Sequence, residues 1–196
     1  MNVTGVADTD ECEGLALPRI SPSLRLAGNG AIPDVPTVRQ PASLPTEAIQ
    51  KLKLMGGSIA DADRDAFLDV GSGNCWLRQP EIARIVEDAL LHFDGERYRL
   101  IAWAVMPNHV HALIEPIAGH GLGSIVSSWK RFSARMANRV LGHIGPFWQN
   151  DYWDTYIRNE RHFESTISYI ENNPVKAGLV RQPADWPWGH ARLKRA

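Results

Sequence analysis

Two histidines one residue apart, in His109-Val110-His111, and a tyrosine followed four residues later by an asparagine, Tyr169 and Asn173, are the positions of this chain best suited to chemistry. The histidines follow an apolar run and a Pro107-Asn108 turn. In an extended strand alternate side chains share a face, so His109 and His111 point one way and Val110 and Ala112 the other. Two imidazoles on one face of a rigid sheet make a pair of metal ligands. By itself such a pair more often consists of edge-strand or solvent histidines. Tyr169 and Asn173 have the i, i+4 spacing of neighbours on one helix face, and Pro174 is expected to end or bend that helix. A phenol is thereby placed one turn from an amide oxygen, although a helical tyrosine is more often a core residue with its hydroxyl at the rim.

The elements that must position these groups belong to a chain of 196 residues, 44% hydrophobic and 22% charged. That composition suits one globular domain with a sizeable core. Cys12 and Cys75 are too few for a disulfide scaffold and lack the spacing of a zinc ribbon, so a reducing, cytoplasmic setting is expected. No apolar run approaches the roughly 20 residues of a membrane span. The acidic start, with Asp8, Asp10, Glu11 and Glu13, does not have the layout of a signal peptide. The net charge of −1 hides an asymmetry: residues 1–96 carry 8 Lys and Arg against 15 Asp and Glu, and residues 97–196 carry 13 against 7. The half holding the candidate groups is the basic one, as a polyanion-binding half would be.

Residues 1–44 are proline-rich and show no sustained period, which predicts a poorly ordered arm before a single domain over 45–196. Short helices are expected over 46–54 and 61–67. Asp69-Val70-Gly71-Ser72-Gly73 reads as a turn, because it lacks the third glycine of a dinucleotide fingerprint and the Lys of a phosphate loop. Pro80 opens a helix with Ile82, Ile85, Val86, Ala89 and Leu90 at helical spacing, closed by Gly95. Residues 98–106 form a buried strand, turned at Pro107-Asn108 into an antiparallel hairpin with the histidine strand. A helix over 124–141 is expected to bury Ile125, Trp129, Phe132, Met136 and Val140, leaving Lys130, Arg131, Arg135 and Arg139 off the stripe. Those four cations are either a solvated face or contacts to phosphates, which position a nucleic acid without reading its sequence. Residues 145–154 are aromatic and turn-rich, a further strand or a packed loop. Asn159 can cap the helix that carries Phe163, Ile167 and Ile170.

His109-Val110-His111 in a strand, followed by Tyr169-Ile170-Glu171-Asn172-Asn173-Pro174-Val175-Lys176-Ala177-Gly178-Leu179-Val180, resembles the REP-associated tyrosine transposases, a branch of the single-tyrosine HUH transposase superfamily. Pro107-Asn108, Phe147-Trp148-Gln149 with Asp151-Tyr152, and Asp185-Trp186-Pro187-Trp188 add to the likeness, which spans roughly residues 75–190. The resemblance implies an α+β fold, a ferredoxin-like antiparallel sheet with helices packed on it. It also implies a bound divalent cation, Mg²⁺ or Mn²⁺, and cleavage and rejoining of single-stranded DNA at hairpins through a 5′-phosphotyrosine intermediate. On this pattern His109 and His111 are metal ligands, Asn173 the polar third ligand and Tyr169 the nucleophile. Lys130, Arg131, Arg135, Arg139 and Lys176 are candidate DNA contacts, Glu115 matches no role, and the protein acts as a monomer or homodimer.

The chemistry is coherent on general grounds. A phenol of pKa about 10 is a poor nucleophile at neutral pH, and a phosphodiester target needs its developing charge neutralised. Two neutral imidazoles and an amide oxygen leave positions open on a divalent ion, where a phosphate can bind. Trp148, Trp153, Trp186 and Trp188 either stack unpaired bases or pack the core.

One stretch departs from the family pattern. The first strand usually carries an aromatic-rich run, whereas Pro36-Thr37-Val38-Arg39-Gln40-Pro41 places prolines there, and proline is poorly tolerated in a central strand. An irregular or missing first strand is expected, which opens the alternative of a catalytically inactive, domesticated hairpin-binding descendant. A zinc hydrolase built on the His-x-His pair is a third reading. It lacks a nearby third His, Asp or Cys and any HExxH-like helix.

Overall fold

The computed structural model describes residues 36–39, 74–150 and 152–195. The chain divides into two units, Met1–Gly30 and Ala31–Ala196, and every described residue lies in the second. The helices expected over 46–54 and 61–67, the glycine turn and most of the proline-rich arm lie outside the described residues.

Strands β2 (Tyr98–Val105) and β3 (His109–Pro116) form the expected antiparallel hairpin. Their register shifts between Leu100 and Ala102, a bulge at Ile101. The extra residue is why Leu100 and Trp103, three positions apart, both reach the same core; in a regular strand an odd spacing sends two side chains to opposite faces. Arg99 and Glu115 stand opposite each other across the hairpin and form an ion pair at its solvent-facing end.

Strand β1 (Thr37–Arg39) pairs antiparallel with His109–His111, and β4 (Tyr152–Trp153) pairs with β1, giving the order β2-β3-β1-β4. Thr37–Arg39 therefore belong to the sheet rather than to an arm ending at residue 44. The first strand is present but only three residues long. Pro36 stands just outside the paired residues, where its missing N–H removes no ladder bond, and its carbonyl accepts from Ala112 N–H at 3.2 Å.

Helix α1 (Pro80–Leu91) and helix α2 (Leu122–Leu141) cover one face of the sheet. Ile82, Val86 and Leu90 from α1 and Ile125, Val126 and Trp129 from α2 meet Leu100, Val105, Val110 and Ile114. Tyr98 lies in this layer, donating to Leu90 O at 2.6 Å and accepting from Trp129 Nε1 at 2.8 Å. Burial pushes its phenol up to about 12, more than the hydrogen bonds from Trp129 and with the Phe93 backbone bring it down.

The buried stripe of α2 differs from the expected one. Ser133 and Ala137 continue the line of Ile125 and Trp129, whereas Phe132 and Val140 are exposed, at 43% and 41%. Ser133 wins the inward position because its hydroxyl accepts from Trp148 Nε1 at 2.8 Å and donates to Trp129 O at 2.7 Å. A small polar side chain there lets the Phe147-Trp148 loop close on the helix. Gly142, at φ 60°, ends α2 as expected.

Helix α3 (Glu160–Lys176) covers the opposite face, with Ile170 against Ala102, Ala104, Met106 and Leu113. Asn159 caps it, accepting from His162 N–H at 2.9 Å. Pro174 does not end it. The helix runs through the proline to Lys176 and stops at Gly178, at φ 69°, where Gly178 N–H bonds Val175 O at 3.0 Å and Leu179 N–H bonds Pro174 O at 2.9 Å. A proline in the last turn forfeits one backbone bond, and a left-handed glycine makes the termination.

Beyond α3, Pro183–Asp185 and His190–Arg195 form 3₁₀ turns. Val105 N–H bonds Trp188 O at 2.8 Å, Trp186 Nε1 bonds Val105 O at 3.1 Å, and Gly189 bridges Ala104. This C-terminal segment thus packs along β2 of its own sheet. Any side chain at Gly189 would press on Trp186 and on the Trp103 carbonyl. Arg192 grips the buried Glu87 of α1, which also accepts from Trp103 Nε1 at 2.9 Å. His190 and Lys194 both donate to Glu171 of α3, at 2.8 and 2.9 Å. Burial raises that carboxyl, but the bonds and charges of His190 and Lys194 hold it below the usual carboxylate range.

Candidate active site

The alternation of β3 divides its side chains as expected: Val110, Ala112 and Ile114 enter the layer under α1 and α2, and His109 and His111 face α3. Both histidines are closed off from solvent, at 0% and 1% exposure. Their Nε2 atoms converge to 3.0 Å. His109 Nδ1 lies 2.7 Å from Asn108 Oδ1. A carboxamide oxygen only accepts, so Nδ1 carries the proton and the Nε2 lone pair of His109 points inward. Asn108 thus sets a tautomer, as outer partners of metal-binding imidazoles do. From sequence it was visible only as a turn residue.

Helix α3 brings up the remaining groups. Asn173 is fully buried; its Nδ2 lies 3.4 Å from His111 Nε2, and its Oδ1 has no protein partner. An orphaned buried acceptor costs about 1–3 kcal/mol, so this amide is placed at the expense of stability. Tyr169, one turn earlier, sets its ring edge-on to His111 with centroids 5.8 Å apart. The Lys176 ammonium lies over the Tyr169 ring, 4.4 Å from its centroid, a cation–π contact that brings positive charge beside the phenol.

The donors suit a divalent cation. With ligand bonds of about 2.1 Å, neighbouring donors of an octahedral ion stand about 3.0 Å apart, which is the separation of the two Nε2 atoms. The Asn173 amide supplies a third neutral donor, and its orphaned oxygen is the atom such an ion would take. Among the described residues no three His, Cys, Asp or Glu side chains group as a metal site. The ligand set a zinc hydrolase needs is therefore missing from them, whereas an imidazole pair plus an amide oxygen leaves positions open on a divalent ion.

Not every predicted site residue joins this cluster. His109, His111, Tyr169, Asn173 and Lys176 come together. Arg131, Arg135 and Arg139 are exposed on α2, the helix that packs on the other face of the sheet. Lys130 donates to Gln149 O and, at 2.8 Å, to Asn150 O, so its ammonium holds a loop. Trp148 and Trp186 spend their indole N–H groups on Ser133 and Val105, as packing residues do. Among the described residues no helix is long and apolar enough to cross a membrane.

The chain also matches known proteins. Residues 79–173 match the family described as "Transposase IS200 like". The chain is 30% identical over 106 residues to the REP-associated tyrosine transposase of Escherichia coli (strain K12), covering 54% of this chain and 62% of the relative. It thus spans about three fifths of that relative's length. A solved structure of a REP-associated tyrosine transposase bound to a REP hairpin superimposes with a TM-score of 0.54 at 21% identity, covering 85% of this chain and 81% of that one. That superposition shows a shared α+β fold.

Proposed function

We propose, from the premise that residues 79–173 belong to the IS200-like transposase family, that this protein cleaves and rejoins single-stranded DNA beside a hairpin, with Tyr169 as the nucleophile. The observation that carries the reading is the seating of Tyr169 on α3 against His111, one turn from an Asn173 amide whose oxygen is buried without a partner.

Tyr169 Oη attacks the scissile phosphorus. A phosphorus–phenol oxygen bond forms, the phosphorus–O3′ bond breaks, the phenolic proton leaves and the departing O3′ gains one. The products are a 5′-phosphotyrosine and a free 3′-hydroxyl. One phosphodiester replaces another, so a later 3′-hydroxyl can reverse the step without a nucleotide cofactor. His109, His111 and Asn173 hold a divalent cation, Mg²⁺ or Mn²⁺, which when bound supplies charge neutralisation to the phosphate. Asn108 keeps His109 in the tautomer whose lone pair points into the site. Lys176 places its ammonium beside the attacking ring, where it also meets an incoming phosphate. Arg131, Arg135 and Arg139, on the other face, serve as distant contacts to the DNA backbone outside the reacting phosphate.

The test is an adduct assay. Purified protein is mixed with Mn²⁺ or Mg²⁺ and a labelled single-stranded oligonucleotide carrying a palindromic hairpin, and read on a denaturing gel. A metal-dependent covalent shift, lost in Tyr169→Phe while hairpin binding persists, is expected. An adduct that survives Tyr169→Phe would sink the assignment. Hairpin binding with no adduct at all would identify a binding-only descendant.

A further inference from the structure

The C-terminal segment lies beyond the residues that match the transposase family, yet it grips the helix carrying the tyrosine. With about 100° per residue, the buried stripe of α3 is centred on Thr166, Ile170 and Asn173. Tyr169 and Glu171 fall on opposite rims of that stripe. Apolar burial holds the helix on the sheet but has no direction, so polar contacts at the rim add a constraint on roll that burial alone does not supply. Roll is the motion that would lift Tyr169 away from His111.

Glu171 is where that motion is opposed. Its side chain is 11% exposed and takes hydrogen bonds from His190 Nδ1 at 2.8 Å and Lys194 Nζ at 2.9 Å. The segment supplying both donors is itself fastened to the sheet and to α1: Trp188 O accepts from Val105, Trp186 Nε1 bonds Val105 O, and Arg192 reaches Glu87. One rim of α3 is thus tied, through residues 186–194, to the strand paired with the histidine strand.

We infer that Glu171 is a positioning residue: held by His190 and Lys194, it fixes the roll of α3 and so the placement of Tyr169 against His111. The inference rests on Tyr169 being the nucleophile only for its catalytic consequence; the structural claim stands without it.

The experiment uses the full chain labelled with 3-fluorotyrosine. The sequence has four tyrosines, so ¹⁹F spectra show four sites, with Tyr169 assigned by Tyr169→Phe. In Glu171→Gln, and separately in the exposed-side variant Lys194→Ala, the Tyr169 resonance is expected to shift or broaden while the other three stay in place. Adduct formation at saturating hairpin should slow about tenfold, the scale set by small misplacements of reacting groups, with hairpin affinity unchanged. The double variant should be no slower than Glu171→Gln alone if both changes act through one contact. A Tyr169 resonance unmoved in both variants, or all four resonances moving together, overturns the inference. If the unmodified protein forms no adduct, the function proposed for it fails, and the ¹⁹F spectra still decide the role of Glu171.

Discussion

The two faces of the sheet are made by the same strands and closed equally well to water, yet they are filled in opposite ways. Under α1 and α2, Val110, Ala112 and Ile114 meet Ile125, Trp129 and Leu90, and the polar group at the centre of that layer, the Tyr98 hydroxyl, is hydrogen-bonded on both sides. Under α3, the neighbouring residues His109 and His111 meet Asn173, whose oxygen is left without a partner. Adjacent residues of β3 thus supply an apolar layer and a polar cluster in alternation. Dispersion and hydrophobic burial on one face offset the cost of polar placement on the other.

That contrast can be broken from either side. The largest effect on stability is expected from Ile114→Ala on the apolar face, at about 2–5 kcal/mol, read as a lowered midpoint in denaturant; a loss below 1 kcal/mol would mean the layer is not close-packed. On the polar face, Asn173→Leu should leave the metal-free protein no less stable. Saturating Mn²⁺ should raise wild-type stability by about 2.7 kcal/mol at a hundredfold excess over Kd. The same addition should do nothing for Asn173→Leu, so a thermal shift retained in that variant would remove Asn173 from the donor set.

Tyr98 gives the contrast a pH signature. Its phenol is held neutral in the fold, at about 12 against an ordinary value near 10. The stability this represents is fully present below pH 10 and is lost as pH rises from 10 to 12. It amounts to about 2.7 kcal/mol for a two-unit shift, and urea midpoints followed across that window check it, with Tyr98→Phe flattening the profile. The smallest effect belongs to the rim: Arg99→Ala, at a solvent-facing ion pair, should change stability by less than about 1 kcal/mol.

The hairpin, its Pro107-Asn108 turn and the opposed facing of His109 and Val110 were legible because strand alternation is a local rule. So were the Asn159 cap and the Gly142 stop, each a one-residue signal. The bulge at Ile101 was not, because it shows only in the partner strand's register. The inward face of α2 is not legible because hydrophobicity favours Phe132 and Val140, whereas Ser133 is selected by a tryptophan from a loop fifteen residues on. Pro174 reads as an end or a bend because its cost inside a helix is large, but in the last turn it is small, and Gly178 sets the end. Thr37–Arg39 read as arm because flanking prolines hide a strand of three residues. Within the site, His109, His111, Tyr169 and Asn173 are brought together as expected. The part played by Asn108 depends on which imidazole nitrogen it meets, and that is a matter of rotamers rather than spacing.

The hairpin turn also carries a consequence for the order of events in folding. His109 and His111 are brought together by a hairpin whose two strands are joined by Met106-Pro107-Asn108, a contact that closes a short loop and forms early. Asn173 reaches His111 only across a separation of 62 residues, after α3 has docked. A chain emerging during synthesis therefore closes its imidazole pair before α3 brings Tyr169 and Asn173 to it. On the function proposed above, the capacity to cut would arrive only at the step that completes the fold, and unfinished copies would carry no armed tyrosine.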